Sequence, residues 1–78
     1  MVSVRVLLNS LEKVKSFVSI VGKFDADVQM VSDKYIVDAK SIMGLFSMNL
    51  LEPMTLVIKA DNSVCVNVLD DIRPYVYG

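Results

Sequence analysis

Histidine is missing from this 78-residue sequence altogether, cysteine occurs once, proline twice and glycine three times. Without imidazole no zinc constellation can be built, and a single thiol, Cys65, cannot close an intramolecular disulfide. That cysteine usage suits a reducing compartment, and a cytoplasmic location is expected. So few prolines and glycines beside a hydrophobic fraction of 54% exclude a disordered chain, because disordered segments lack the apolar surface that offsets chain entropy. An excess of one charge is missing too: eight Lys plus Arg against nine Asp plus Glu leave a net charge of −1. Nothing in that balance condenses onto nucleic acid or anionic lipid, so neither is an expected partner. Lys13, Lys15 and Lys23 have no interleaved aromatic residues to stack on bases and read as a solvated helix face. Long apolar runs are absent as well, none approaching the ~18 residues of a membrane span. The N-terminal run 2–8 is broken by Ser3 and Arg5 and leads to no small-residue cleavage site.

Catalytic patterns are equally scarce. There is no glycine-rich phosphate loop, no serine elbow and no metal-ligand spacing. Asp70 and Asp71 are adjacent, and neighbours on a helix diverge by about 100°, so they cannot share one site as paired catalytic carboxylates do. Cys65 has no basic neighbour in sequence and reads as a small apolar core residue. The hydroxyls of Tyr35, Tyr75 and Tyr77 have no evident base. The chain is not expected to be an enzyme, and no metal or cofactor is expected.

What is present is periodicity. Val2, Val4, Val6 and Leu8 alternate with Ser3, Arg5 and Leu7, the pattern of a strand with one face on a core. Asn9 and Ser10 offer N-cap oxygens, and Glu12 lies three residues after Asn9, where its carboxylate can reach an orphan amide. A helix over 11–23 follows, gathering Leu11, Val14, Phe17, Val18 and Val21 on one side, with Gly22 near its end. Residues 27–32 and 34–39 read as a hairpin around Ser32-Asp33. The segment 41–49 starts with a capping serine and carries too little β-branching for a strand, so it reads as a short helix. Its projection points Leu45 and Met48 one way and Ile42, Met43, Phe46 and Leu50 another, and a helix on one sheet surface buries only one such stripe. Residues 54–60 read as a fourth strand, with capping side chains in the turn Asp61-Asn62-Ser63. The last segment is ambiguous: Val64, Val66 and Val68 alternate as in a strand, while Val64, Val68, Leu69, Ile72 and Val76 form a helical stripe. With no repeat or linker, the elements read as one domain over 1–78, an α+β sandwich with helices on one face of a mainly antiparallel sheet.

The run Lys23-Phe24-Asp25-Ala26-Asp27-Val28, followed by Val37-Asp38-Ala39-Lys40-Ser41-Ile42-Met43-Gly44-Leu45, resembles HPr, the histidine-containing phosphocarrier of the bacterial sugar phosphotransferase system. The likeness runs without a gap from about residue 10 to residue 60 and is weaker beyond. It implies an open-faced β-sandwich of order βαββαβα, with three helices over a four-stranded antiparallel sheet. It also makes 64–73 a helix, with Pro74 near its end. The family carries its phosphoryl group on a histidine at the start of the first helix, followed two and three residues later by arginine and proline. Ser10, Glu12 and Lys13 stand at those places. A serine hydroxyl gives no high-energy phosphoramidate, and an acid in place of the phosphate-holding arginine repels the group. Phosphohistidine relay is therefore not expected, and no residue is assigned a catalytic role.

Ser41 matches the serine that a dedicated HPr kinase phosphorylates in many Gram-positive bacteria. A phosphate there would face the amides of a helix N-terminus. The plain alternative is an N-cap worth about 1 kcal/mol. Ile42, Met43 and Phe46 match the apolar patch with which HPr docks on its partners, and the projection separately leaves them without a core. The plain alternative is tolerated exposure, or cover by a neighbouring copy. These residues together imply a histidine-free, HPr-related regulatory interaction module. Its partner would be a protein, an HPr kinase or a transcriptional regulator, meeting the second-helix patch. The catabolite-repression paralogues of the family also lack the histidine and keep the serine, but Glu12 replaces the arginine expected to hold phosphoserine against a regulator. The competing expectation is a structural or degenerate HPr-like domain that self-associates through the patch and has no signalling role.

Overall fold

The computed structural model describes residues 1–33 and 35–77. Its elements run β1 (Val2–Val6), α1 (Leu11–Val21), β2 (Asp27–Val31), β3 (Ile36–Asp38), α2 (Ile42–Phe46), β4 (Met54–Lys59) and α3 (Asn62–Asp71), closed by a 3-10 turn at Arg73–Tyr75. The four strands form one antiparallel sheet in the order β1-β4-β2-β3. This is the expected α+β architecture, four antiparallel strands and three helices.

Register explains which strand positions are apolar. Val2 pairs with Ile58, which pairs with Val28, and Val4 pairs with Leu56, which pairs with Met30. These two rows run straight across the sheet, and period-two alternation keeps them on one face. Onto that face fall Val14, Phe17 and Val21 of α1, Leu45 of α2, and Cys65, Val68 and Ile72 from α3 and its end, all at most 1% exposed. The next rows, Ser3 with Val57 and Gln29, and Arg5 with Thr55 and Val31, lie on the other face of the pleat, which no helix among the described residues covers.

The helix ends follow local chemistry. Ser10, in extended conformation, caps α1 by accepting the Lys13 amide, and Gly22 closes it with its amide on the Val18 carbonyl. The helix therefore stops at Val21, two residues short of the expected 23. Leu11 is 58% exposed and does not join the core stripe; as the first helical residue it lies beyond the reach of the layer made by Val14, Phe17 and Val21. The box expected from Asn9 and Glu12 is replaced by Lys13, whose ammonium donates to the Asn9 side chain at 3.0 Å.

At the hairpin Ser32 and Tyr35 exchange backbone hydrogen bonds, and the strands are shorter than the expected 27–32 and 34–39; Lys34 lies outside the described residues. The last segment is a helix, as the resemblance implies, but it spans Asn62–Asp71 rather than 64–73. Asp61 begins it without a side-chain capping bond, contrary to the capping turn expected there. Pro74 disfavours helical backbone in the residue before it, and Ile72 already leaves the α region with ψ 6°. Val66, 56% exposed while Val68 is buried, rules out the strand alternation. Cys65 is buried, its thiol facing the Ala60 carbonyl at 3.5 Å, as a core cysteine should be.

Candidate functional site

Two serines open the two helices on which the sequence places functional residues. Ser41 is extended, at φ −96° and ψ 110°, and its hydroxyl oxygen accepts the Gly44 amide at 3.1 Å. Ser10 does the same for Lys13 at 3.2 Å. Each oxygen satisfies one of the donors that a helix start leaves unpaired. Ser10 is exposed and Ser41 half-buried. Glu12 and Lys13 put charges of both signs in the first turn of α1, whereas α2 contains none.

Helix α2 is short and tightly seated. A Cβ added at Gly44 would come within 3.3 Å of both the Ser41 hydroxyl oxygen and the Val37 Cβ. Glycine thus lets the helix approach β3 closely while the cap bond forms. Beyond Phe46 the Ser47 hydroxyl donates to the Gly44 carbonyl at 2.6 Å and the helix stops.

This geometry sorts the predicted patch. Leu45 and Met48 are buried, as the projection requires. Met43 is 73% exposed and Phe46 37%. Ile42 and Leu50, expected on the uncovered stripe, instead pack partly against the core. The reason is length: with α2 ending at Phe46, Leu50 belongs to the turn after it, where Asn49 accepts the Leu51 and Glu52 amides, and a helical projection no longer fixes its direction. Leu51, 77% exposed, is an apolar surface residue that sequence reasoning misses for the same reason.

Lys40 is missed as well. Its ammonium donates to the Phe24 carbonyl at 2.8 Å, and its amide to the Asp38 carboxylate at 2.9 Å. This half-buried lysine ties the loop after α1 to the residue before Ser41, joining in space the two halves of the motif that carries the family resemblance. The only signal for it in the sequence is the co-occurrence of those halves.

Other chemistry is sparse. Among the described residues no three His, Cys, Asp or Glu side chains come together as a metal-holding group, and no helix is long and apolar enough to cross a membrane. Asp70 pairs with Arg73 on the surface rather than with Asp71. A groove of about 600 Å³ touches Arg5, Tyr35, Glu52 and Thr55 on the uncovered side of the sheet. Ser10, Ser41 and the residues of α2 do not line it.

Comparison with known proteins points one way. The family model for the PTS HPr component phosphorylation site matches residues 12–76. No curated protein matches the chain. Among solved structures it is similar to the phosphocarrier protein HPr of Bacillus anthracis str. Ames, at 25% identity and a TM-score of 0.73, over 97% of this chain and 96% of that one. It is also similar to HPr-C-His of Thermoanaerobacter tengcongensis, at 24% identity and a TM-score of 0.74, over 92% and 90% of the two chains. A third similar structure is Crh, the catabolite repression containing protein of Bacillus subtilis, a dimer with a swapped domain. There the identity is 23% and the TM-score 0.65, over 94% of this chain and 88% of that one.

Proposed function

We propose that this chain, which belongs to the PTS-HPr family, is a regulatory protein-interaction domain of that family and not a phosphohistidine carrier. The observation that carries the reading is the complete absence of histidine. The hydroxyl of Ser10, which stands where the resemblance places the family's histidine, serves as a helix cap. In this reading residues 1–78 act as a single cytoplasmic domain without enzymatic activity. Met43 and Phe46 form the docking surface for a protein partner, an HPr kinase or a transcriptional regulator, with Ile42 at its half-buried margin. Exposed methionine and phenylalanine adapt to apolar partner surfaces. Ser41, beside that surface, is the regulatory phosphorylation site: a phosphate there adds close to two negative charges next to an uncharged apolar patch and changes which partner it accepts.

The test is incubation of the purified protein with HPr kinase and ATP and, separately, with the phosphoenolpyruvate-dependent enzyme, followed by intact mass measurement with Ser41→Ala as control. The expected result is one phosphate added by the kinase, none in the mutant, and none from the second enzyme. Phosphate from the second enzyme would restore a carrier role and overturn the reading. The swapped dimer of Crh supports a second reading, a self-associating HPr-like domain with no signalling input. It predicts no phosphate in either reaction and sedimentation as a dimer that Phe46→Asp dissolves.

A further inference from the structure

The described residues cover the outer edge of β1 over only part of its length. The Leu7 amide donates to the Tyr75 carbonyl at 2.9 Å, the Tyr77 amide donates to the Arg5 carbonyl at 2.8 Å, and Val6 and Val76 form an antiparallel bridge between them. Tyr75 anchors this segment through an edge contact with the buried Phe17 ring, centroids 5.6 Å apart. Beyond that anchor the hold is slight. Val76 and Tyr77 are 41% and 48% exposed, and among the described residues what keeps Tyr77 down is one backbone bond and the Arg5 guanidinium 5.4 Å from its ring centre.

Strand alternation shows what lies next to it. Arg5 and Leu7 turn backbone groups toward this segment, so Ser3, of the same parity, turns its amide and carbonyl to the same side, away from β4. Among the described residues β1 pairs only with β4 and, at Val6, with Val76. A second β1 laid antiparallel about Ser3 would exchange both Ser3 hydrogen bonds and set the Arg5 amide against the Met1 carbonyl of the other copy. That arrangement places Met1 opposite Arg5, where Tyr77 sits. The two pairings exclude each other.

We infer that the segment Tyr75–Tyr77 is an autoinhibitory strap, which blocks the β1 edge against pairing with the β1 edge of a second copy of this chain. Tyr75 is its anchor and Tyr77 its latch. The inference is independent of the functional reading above, since it uses neither Ser41 nor the α2 patch.

In the full chain Tyr77→Pro removes the latch amide and ring while leaving Tyr75 in place, and extended backbone at Val76 accepts a following proline. Sedimentation over a dilution series is expected to show this variant associating at least about tenfold more tightly than the parent, a change that one or two freed backbone bonds can supply. Ser3→Pro, which removes an outward amide that no bond among the described residues uses, is expected to return Tyr77→Pro to the parent's behaviour. Amide exchange is expected to slow at Ser3 and Arg5 in the associated form alone. Sedimentation of Tyr77→Pro identical to the parent, or association that survives Ser3→Pro, would overturn the inference. Should Tyr77→Pro not fold, Tyr77→Ala, which takes away only the ring, must move association in the same direction for the inference to stand.

Discussion

Helices α1 and α2 begin alike and then diverge. Each has an extended serine whose hydroxyl accepts the amide three residues on, at 3.2 and 3.1 Å. From there α1 runs for 11 residues and drives Val14, Phe17 and Val21 into the core, while α2 runs for five, buries Leu45 and leaves Met43 and Phe46 outside. Burial of a long apolar stripe holds α1 in place. Its neighbour is held by its cap, the close approach at Gly44 and the tie from Lys40 to Phe24, so its apolar side chains need not all face inward. One capping device thus serves a helix that anchors the fold and a helix that presents a surface.

Substitutions can break this contrast. The largest effect is expected at Phe17: with its ring fully buried, Phe17→Ala should cost about 3–5 kcal/mol in urea denaturation. Phe46→Ala in the same assay is the counterpart, and a loss comparable to that of Phe17→Ala would make α2 an anchoring helix like α1. Lys40→Met comes next. It leaves the half-buried Phe24 carbonyl without its donor and should lower stability by roughly 1–2 kcal/mol; an unchanged denaturation midpoint would show that the tie contributes nothing. Ser10→Ala and Ser41→Ala should each cost about 1 kcal/mol, because the cap geometry is the same. Unequal losses would mean that one hydroxyl has work beyond capping. Smallest of all, Met43→Ala, at a side chain 73% exposed, should stay within about 0.5 kcal/mol of the parent by thermal or urea unfolding, as surface substitutions do.

Where apolar periodicity is long and its direction unambiguous, the fold is legible in the residues themselves. Val2, Val4 and Val6, the stripe through Val14, Phe17 and Val21, and the pairing of Leu45 with Met48 all lie where their spacing places them. The final helix is not legible from its own residues, since valines at 64, 66 and 68 satisfy two periods at once; the family resemblance decides it. Legibility fails at ends. Leu11 and Leu50 are assigned by a projection that holds only inside a regular helix, and one stands at a first residue while the other stands past a last one. For the candidate site, Ser41 and the exposure of Met43 and Phe46 are within reach of sequence reasoning. Lys40 is not, because its partner is a backbone carbonyl 16 residues away, and backbone acceptors carry no side-chain signature.

The strand order has a consequence for how the chain is made. β4 is the last strand in sequence, yet it lies between β1 and β2. Until residue 59 has left the ribosome, β1 has no strand to pair with and β2 has only the three-residue β3 on one side. The growing chain therefore carries its valine-rich first strand unpaired until β4 emerges. Closure of the sheet, when it comes, is a late event that joins distant segments, and such non-local pairing is the slow, aggregation-exposed step of folding. A stall in synthesis before Met54 would leave α1 and the β2–β3 hairpin with no central strand to gather on.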